Sequence, residues 1–296
     1  DKKNPEVIKH LEAENAYTQA MMEDTKGLQE KLYNEMKSRI KETDLSVPSQ
    51  DNGYFYYSRT AEGKQYPIYC RKKGSMDAPE QITIDLNVLA EGKKFIRLGA
   101  YSISPNTKLM GYGLDFEGSR KFTLYVKNLE TGEILKDQVP ETAGAFVWGN
   151  DNKTIFYTQE DAQTKRSHKV FRHVLRSKSP DDLIYEEKDE LYRAYCGKTR
   201  SNGYIVIVSA SSTTSEIRYL PADKPASAPQ LLLPRQENHE YYLDHIGDRF
   251  YIRTNDQGKN FRLVTAPVTD PRKENWQEII PQRKDVMLED TDCFAT

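Results

Sequence analysis

The sequence predicts a mainly β protein: an incomplete β-propeller of about five four-stranded blades, preceded by two α-helices. Three observations predict it. Near residue 50 the apolar pattern changes from a helical period to a period of two. One strand-turn-strand unit then recurs roughly every 45–55 residues. Only 37% of the 296 residues are hydrophobic and 30% are charged, with a mean hydropathy of −0.80, which suits a fold rich in exposed strand edges and turns. Length alone allows about two domains or one large all-β domain. The repeat divides the chain into a helical segment, 1–45, and an incomplete propeller, 46–296.

The first elements are helical. Pro5 suits a helix start, and Ile8, Leu11 and Ala16 begin an apolar face. After Gly27, the residues Leu28, Leu32, Met36 and Ile40 recur every four positions among Glu and Lys. Both helices are expected to pack and to carry no chemistry. Ser46-Val47-Pro48-Ser49 and Asp51-Asn52-Gly53 read as a linker with turn chemistry. The first residue is Asp rather than Met, which suggests a processed or engineered N-terminus.

Strands follow. Phe122, Leu124 and Val126 alternate with polar neighbours, and Tyr204 to Val208 is a continuous run that fits a strand buried on both faces. The repeating unit opens with Tyr54-Phe55-Tyr56, Lys108-Leu109-Met110, Thr154-Ile155-Phe156, Tyr204-Ile205-Val206 and Arg249-Phe250-Tyr251. Each is followed by a second strand (66–71, 122–127, 169–174, 216–220, 261–266) and an apolar edge strand (82–86, 134–135, 183–185, 231–233, 278–280). A sandwich would show turns without this super-period. Residues 281–296, from Val286 to Phe294, are expected to open a sixth blade.

Several function classes are excluded. Lys and Arg (43) nearly balance Asp and Glu (45), with no basic footprint for nucleic acid. No apolar run approaches the ~20 residues of a membrane helix. Cys70, Cys196 and Cys293 are few and far apart, against both a disulfide framework and a zinc site. There is no G-x-S-x-G motif, and the Ser/Thr cluster from Ser209 to Ser215 reads as a turn. Gly63-Lys64 is too short for a phosphate loop. His10 stands alone. His168 and His173 are five apart, on opposite strand faces, and His239 and His245 are expected to make structural hydrogen bonds. The acids Glu186, Glu187, Asp189 and Glu190 read as a solvated loop. The 19 tyrosines suit half-buried strand positions.

Particular strings carry more. Residues 6–17 read E-V-I-K-H-L-E-A-E-N-A-Y, 63–71 G-K-Q-Y-P-I-Y-C-R, and 85–92 D-L-N-V-L-A-E-G. Leu129-Glu130-Thr131-Gly132 precedes Val147-Trp148-Gly149-Asn150-Asp151. Then come Tyr185-Glu186-Glu187-Lys188-Asp189, T-T-S-E-I-R at 213–218, H-E-Y-Y-L-D-H at 239–245, and Gly258-Lys259-Asn260-Phe261. In this order the chain closely resembles oligopeptidase B (protease II) of the prolyl oligopeptidase family of serine peptidases.

That resemblance implies a seven-bladed propeller capping an α/β-hydrolase domain with a Ser, Asp and His triad, in which His serves as base and then acid. It implies cleavage of short peptides after Arg or Lys, with the propeller gating access, in a parent over twice as long. The serine motif G-G-S-x-G-G and its partners are absent here, so no catalytic residue is assigned and the chain alone is expected to be inactive. Substrate-binding residues stay unassigned, and no cofactor or metal is expected. Asp115, Glu117 and Glu141 are candidate rim acids for a basic substrate, weighed against ordinary turn carboxylates. The expected partners are the hydrolase domain of the same parent chain and short basic peptides. Neither nucleic acid nor membrane is expected, and open blade edges invite self-association. The expected compartment is the cytoplasm, or the periplasm if the parent carries a signal peptide. Two other classes stay open: a non-enzymatic interaction propeller, and a carbohydrate-active one with carboxylates facing across its channel.

Overall fold

A computed structural model describes residues 3–294. Asn4 caps helix α1 (Pro5–Met21) by accepting the Glu6 N–H at 2.9 Å, with Pro5 where its missing N–H costs nothing. A short 3₁₀ turn, Glu23–Thr25, leads into α2 (Lys26–Ser38). The expected packing of these helices is not found. Neither buries a residue, and Leu28, Leu32, Met36 and Ile40 are 45–65% exposed. No layer among the described residues covers the face they form.

Five antiparallel blades follow. Blade 1 is β1 (Ser49–Asp51), β2 (Tyr54–Arg59), β3 (Ile68–Lys73) and β4 (Gln81–Asp85), closed by the one-turn helix α3 (Leu86–Leu89). Blade 2 is β5 (Arg97–Ile103), β6 (Leu109–Asp115), β7 (Phe122–Asn128) and the first part of β8 (Ile134–Trp148). The second part of β8 is the inner strand of blade 3, with β9 (Thr154–Glu160), β10 (Ser167–Val174) and β11 (Asp182–Glu186). Blade 4 is β12 (Arg193–Lys198), β13 (Tyr204–Ala210), β14 (Ser215–Pro221) and β15 (Gln230–Leu231). Blade 5 is β16 (Tyr241–Ile246), β17 (Arg249–Thr254), β18 (Arg262–Pro267) and β19 (Gln277–Ile280).

The blade count read from the repeat is borne out, with one refinement. Blades 2 and 3 share β8, which pairs with β7 as far as Thr142 and with β9 from there on. The strand swings between blades at Gly144, whose φ is +88° and whose added Cβ would lie 2.8 Å from the Phe122 ring. Only glycine meets both conditions without strain. The stretch read as a linker also hides a strand: β1 is three exposed polar residues and offers no alternation to detect.

The core lies between blades. In β13, Ile205 and Ile207 are buried towards blade 3, with Phe156, Val170 and Ala194. Its other face, Tyr204, Val206 and Val208, packs on Tyr241, Phe250 and Ile252 of blade 5. A continuous apolar run is what a strand with a neighbour on each face requires. The expected sixth blade does not form: residues 281–294 contain no strand. They cross the far side of blade 5 instead, where Leu288 accepts from Arg253 and donates its N–H to Asn260 O at 2.9 Å. A strand at this position has no following hairpin among the described residues to pair with.

Candidate functional site: the vestibule at the turns of the inner strands

Each inner strand turns into its neighbour at the same end of the blade. These turns are polar and carry a residue at positive φ: Asn52, Thr107, Asn152, Asn202 and Gly247. Hydrogen bonds tie the turn regions of successive blades together. Arg71 Nη1 donates to Thr107 O (2.7 Å), Asn106 N to Asn152 Oδ1 (2.7 Å), Asn150 Nδ2 to Asn202 O (3.1 Å), and Arg200 N to Asp244 Oδ1 (2.9 Å).

Inside this ring lies a cavity of about 540 Å³. Ser49, Asp51 and Tyr56 line it from blade 1, Tyr101 and Ser102 from blade 2, Trp148 and Asn150 from blade 3, and Lys198 from blade 4. Trp148 is fixed by its Nε1–H, which donates to Ser102 O at 3.1 Å. Lys198 Nζ donates to Asn150 Oδ1 at 2.6 Å, and Asn150 Nδ2 donates to Asp223 Oδ1 at 2.7 Å. Burial pulls the Lys198 pKa below the ordinary lysine range, with Asp223 opposing it. Tyr56 is 9% exposed, and its buried hydroxyl completes no hydrogen bond. Burial raises its pKa, against the nearby Arg71 guanidinium. The volume is within the range of small-ligand sites, and the lining is mainly polar, with Tyr56, Tyr101 and Trp148 as flat walls. The helices sit at the opposite end of the blades, where Met36 of α2 and Ile40 just after it line an open groove together with Ala61 and Gly63 of the β2–β3 hairpin.

That opposite end holds the acids. Asp115 is no rim acid: it is 1% exposed, and its carboxylate accepts the N–H groups of Glu117, Gly118 and Arg120. Glu117 is exposed, and Glu141 is exposed beside Lys121 at 3.0 Å. The solvated-loop reading of the 186–190 acids fails for Glu187. It is 4% exposed and takes hydrogen bonds from Arg235 and Ser209, from Tyr185 Oη (2.7 Å) and from Asp189 N (2.9 Å). Burial alone would raise its pKa; these partners overcome that and bring it to about 2. Sequence adjacency could not reveal Arg235, 48 residues away.

The Ser/Thr cluster behaves as a turn, with Ser211 N donating to Thr214 O. His239 Nε2 meets Thr254 Oγ1 at 2.8 Å, and His245 Nδ1 meets Ser201 Oγ at 2.7 Å, both structural and both with pKa values lowered by burial. His168 Nδ1 lies 3.2 Å from Arg166 O, and His173 Nδ1 lies 2.7 Å from Asp181 Oδ1. Among the described residues no His, Cys, Asp and Glu cluster could hold a metal, and no helix is long and apolar enough to cross a membrane.

Residues 1–296 match the prolyl oligopeptidase N-terminal beta-propeller domain family. The chain belongs to the prolyl oligopeptidase family. Its relatives include dipeptidyl aminopeptidase BI of Pseudoxanthomonas mexicana, 38% identical over 99% of this chain and 43% of that protein. Protease 2 of Moraxella lacunata is 36% identical over 91% of this chain and 40% of that protein. Oligopeptidase B from Trypanosoma brucei, solved in a closed form with covalently bound antipain, superposes with a TM-score of 0.91 at 30% identity, covering 99% of this chain and 42% of that one. The chain thus spans about two-fifths of the length of these prolyl oligopeptidase relatives. The vestibule residues Tyr56, Trp148, Asn150 and Lys198 were not legible as a site in the sequence. An Asn in the first turn of blades 1 to 4 (Asn52, Asn106, Asn152, Asn202) is the available signal.

Proposed function

We propose that this chain is the propeller portion of a serine oligopeptidase that cleaves short peptides after Arg or Lys, the propeller gating entry to a C-terminal α/β-hydrolase domain of the same parent. The division at 1–45 and 46–296 belongs to this reading, as does the absence of activity in the chain alone. What carries it is the family match over residues 1–296 combined with a span of 43% and 40% of the first two relatives. The relative called dipeptidyl aminopeptidase BI favours a second reading, removal of dipeptides from a free amino terminus.

One experiment separates these readings. The full-length product and this chain are assayed on an Arg-Arg coumarin amide, with its amino terminus blocked or free. Cleavage of both forms by the full-length product, and of neither by this chain, supports the first reading. Cleavage of only the free form supports the second. No cleavage by a full-length product retaining a G-G-S-x-G-G motif leaves a non-enzymatic interaction propeller. Self-association through open blade edges is read by sedimentation of this chain, where a stable monomer at all concentrations overturns it.

A further inference from the structure

We propose that the vestibule is a docking site for the carboxylate end of short peptides, with Lys198 as its anchor. The choice of a peptide rests on the peptidase reading; the choice of a carboxylate rests on the cavity.

Lys198 is the only cationic side chain among the lining residues, and it stands on blade 4, across the cavity from blade 1. An ammonium has three donors, and the described residues give this one a single acceptor, Asn150 Oδ1. The neighbouring Asp223, exposed and held by Asn150, offsets part of its charge but does not line the cavity. Asp51 is the only carboxylate in the lining, on the blade 1 wall. The cavity therefore carries one charge of each sign on separate walls, an arrangement that suits a polar chain ending in a carboxylate more than a simple anion. Asn52 and Asn202 offer amide groups to a peptide backbone, whereas the Asn150 amide is taken up by Lys198, Asn202 and Asp223. The buried Tyr56 hydroxyl lies beside the Arg71 guanidinium and donates to no acceptor among the described residues. Tyr101 and Trp148 supply flat walls for an apolar side chain.

The test uses N-acetyl-trialanine with a free carboxylate and the same peptide as its carboxamide. Binding is followed by calorimetry to the full-length product with its active site covalently blocked. The free acid is expected to bind about 10-fold or more tightly than the amide, the effect of one charge-assisted hydrogen bond. Lys198→Met should erase that preference. Tyr56→Phe, which keeps the ring and the fold, should weaken the acid by roughly 3- to 10-fold. Equal affinity for acid and amide, no binding at millimolar peptide, or an unchanged preference in folded Lys198→Met overturns the proposal. So does equal competition by acetate, which would mark an anion site indifferent to peptide. If the unblocked product still hydrolyses peptides, the peptidase reading survives such a failure.

Discussion

Replacing Glu187 by Gln tests whether a buried ion pair clamps blade 3 to blade 4. The substitution keeps the side-chain shape and removes the charge that Arg235 faces. A carboxyl held at about 2 rather than at 4.5 corresponds to about 3 kcal/mol of native-state preference for the ionised form. Arg235 leaves a quarter of its side chain in solvent, and Glu216 at 3.7 Å remains as a second partner. Screening and that partner reduce the expected loss to about 1–2 kcal/mol at pH 7. The folded pKa lies below the unfolded one, so this stability is fully present above pH ~4.5 and is lost as pH falls towards ~2. Urea unfolding of both proteins at pH 7, 5, 4 and 3 measures it. The gap should be constant from pH 7 to 5 and shrink below that. A gap that stays constant to pH 3, or one under about 0.5 kcal/mol at pH 7, would refute the clamp.

Phe156 is fully buried against Ile205, Leu220 and Ala222, so Phe156→Ala should cost about 3–5 kcal/mol in urea unfolding. A loss below about 1.5 kcal/mol would mean the blade 3–4 interface is loosely packed. Gly144→Ala adds a methyl 2.8 Å from the Phe122 ring at a φ of +88°, and should lower stability by about 2 kcal/mol or more. An unchanged melting temperature would show that β8 passes between blades by another route. The pair Leu32→Glu and Met36→Glu should leave this chain's stability within about 0.5 kcal/mol, because both side chains are already largely in water. The same pair should destabilise the full-length product if the remainder of the parent covers that helix face, and equal thermal scans of the two full-length proteins would contradict the cover.

Legibility in the sequence followed the physics of each strand's surroundings. The middle strands β6, β9 and β13 lie between two blades, so both faces are apolar and the repeat stands out. Inner strands were harder. Ser49–Asp51 has exposed side chains throughout, and Arg193–Lys198 mixes small and polar residues because one side turns to the cavity. The polar turns were legible as turns but not as a shared lining, since Asp51, Trp148 and Lys198 are brought together only by the sweep of the blades. Glu187 is hidden for the same reason: its neighbours in sequence include exposed acids, while Ser209 and the Arg235 guanidinium that hold its charge lie 22 and 48 residues away. The helices failed in the opposite sense. Their apolar spacing is a true amphipathic signal, but it specifies a face and not what covers it.

An arc of blades is stabilised mainly through its interfaces, since one four-stranded sheet has little core of its own. Among the described residues, blades 2 to 4 each have a neighbouring blade on both sides, whereas blades 1 and 5 have one, blade 5 being crossed on its outer side by residues 281–294. Each terminal face is covered by arginine. On blade 1, Arg59 forks onto Glu80 beside Tyr57, Ile68 and Cys70, and Tyr57 Oη donates to Glu80 at 2.6 Å. On blade 5, Arg249 donates to Thr265 Oγ1 and Gln277, while Arg253 stacks on Tyr242 and Phe261. Long cationic stems can shield apolar surface without demanding a partner, but they bury less than a facing blade does. Opening therefore begins at the two ends, and amide protection should be greatest in β9 and β13 and fall towards β2 and β17. The vestibule spans blades 1 to 4, so its blade 1 wall, with Asp51 and Tyr56, is the wall whose position depends on a face without a neighbouring blade. A ligand bridging Lys198 and Tyr56 would tie that wall to the stable middle of the arc and raise protection in β2 before it raised any in β17.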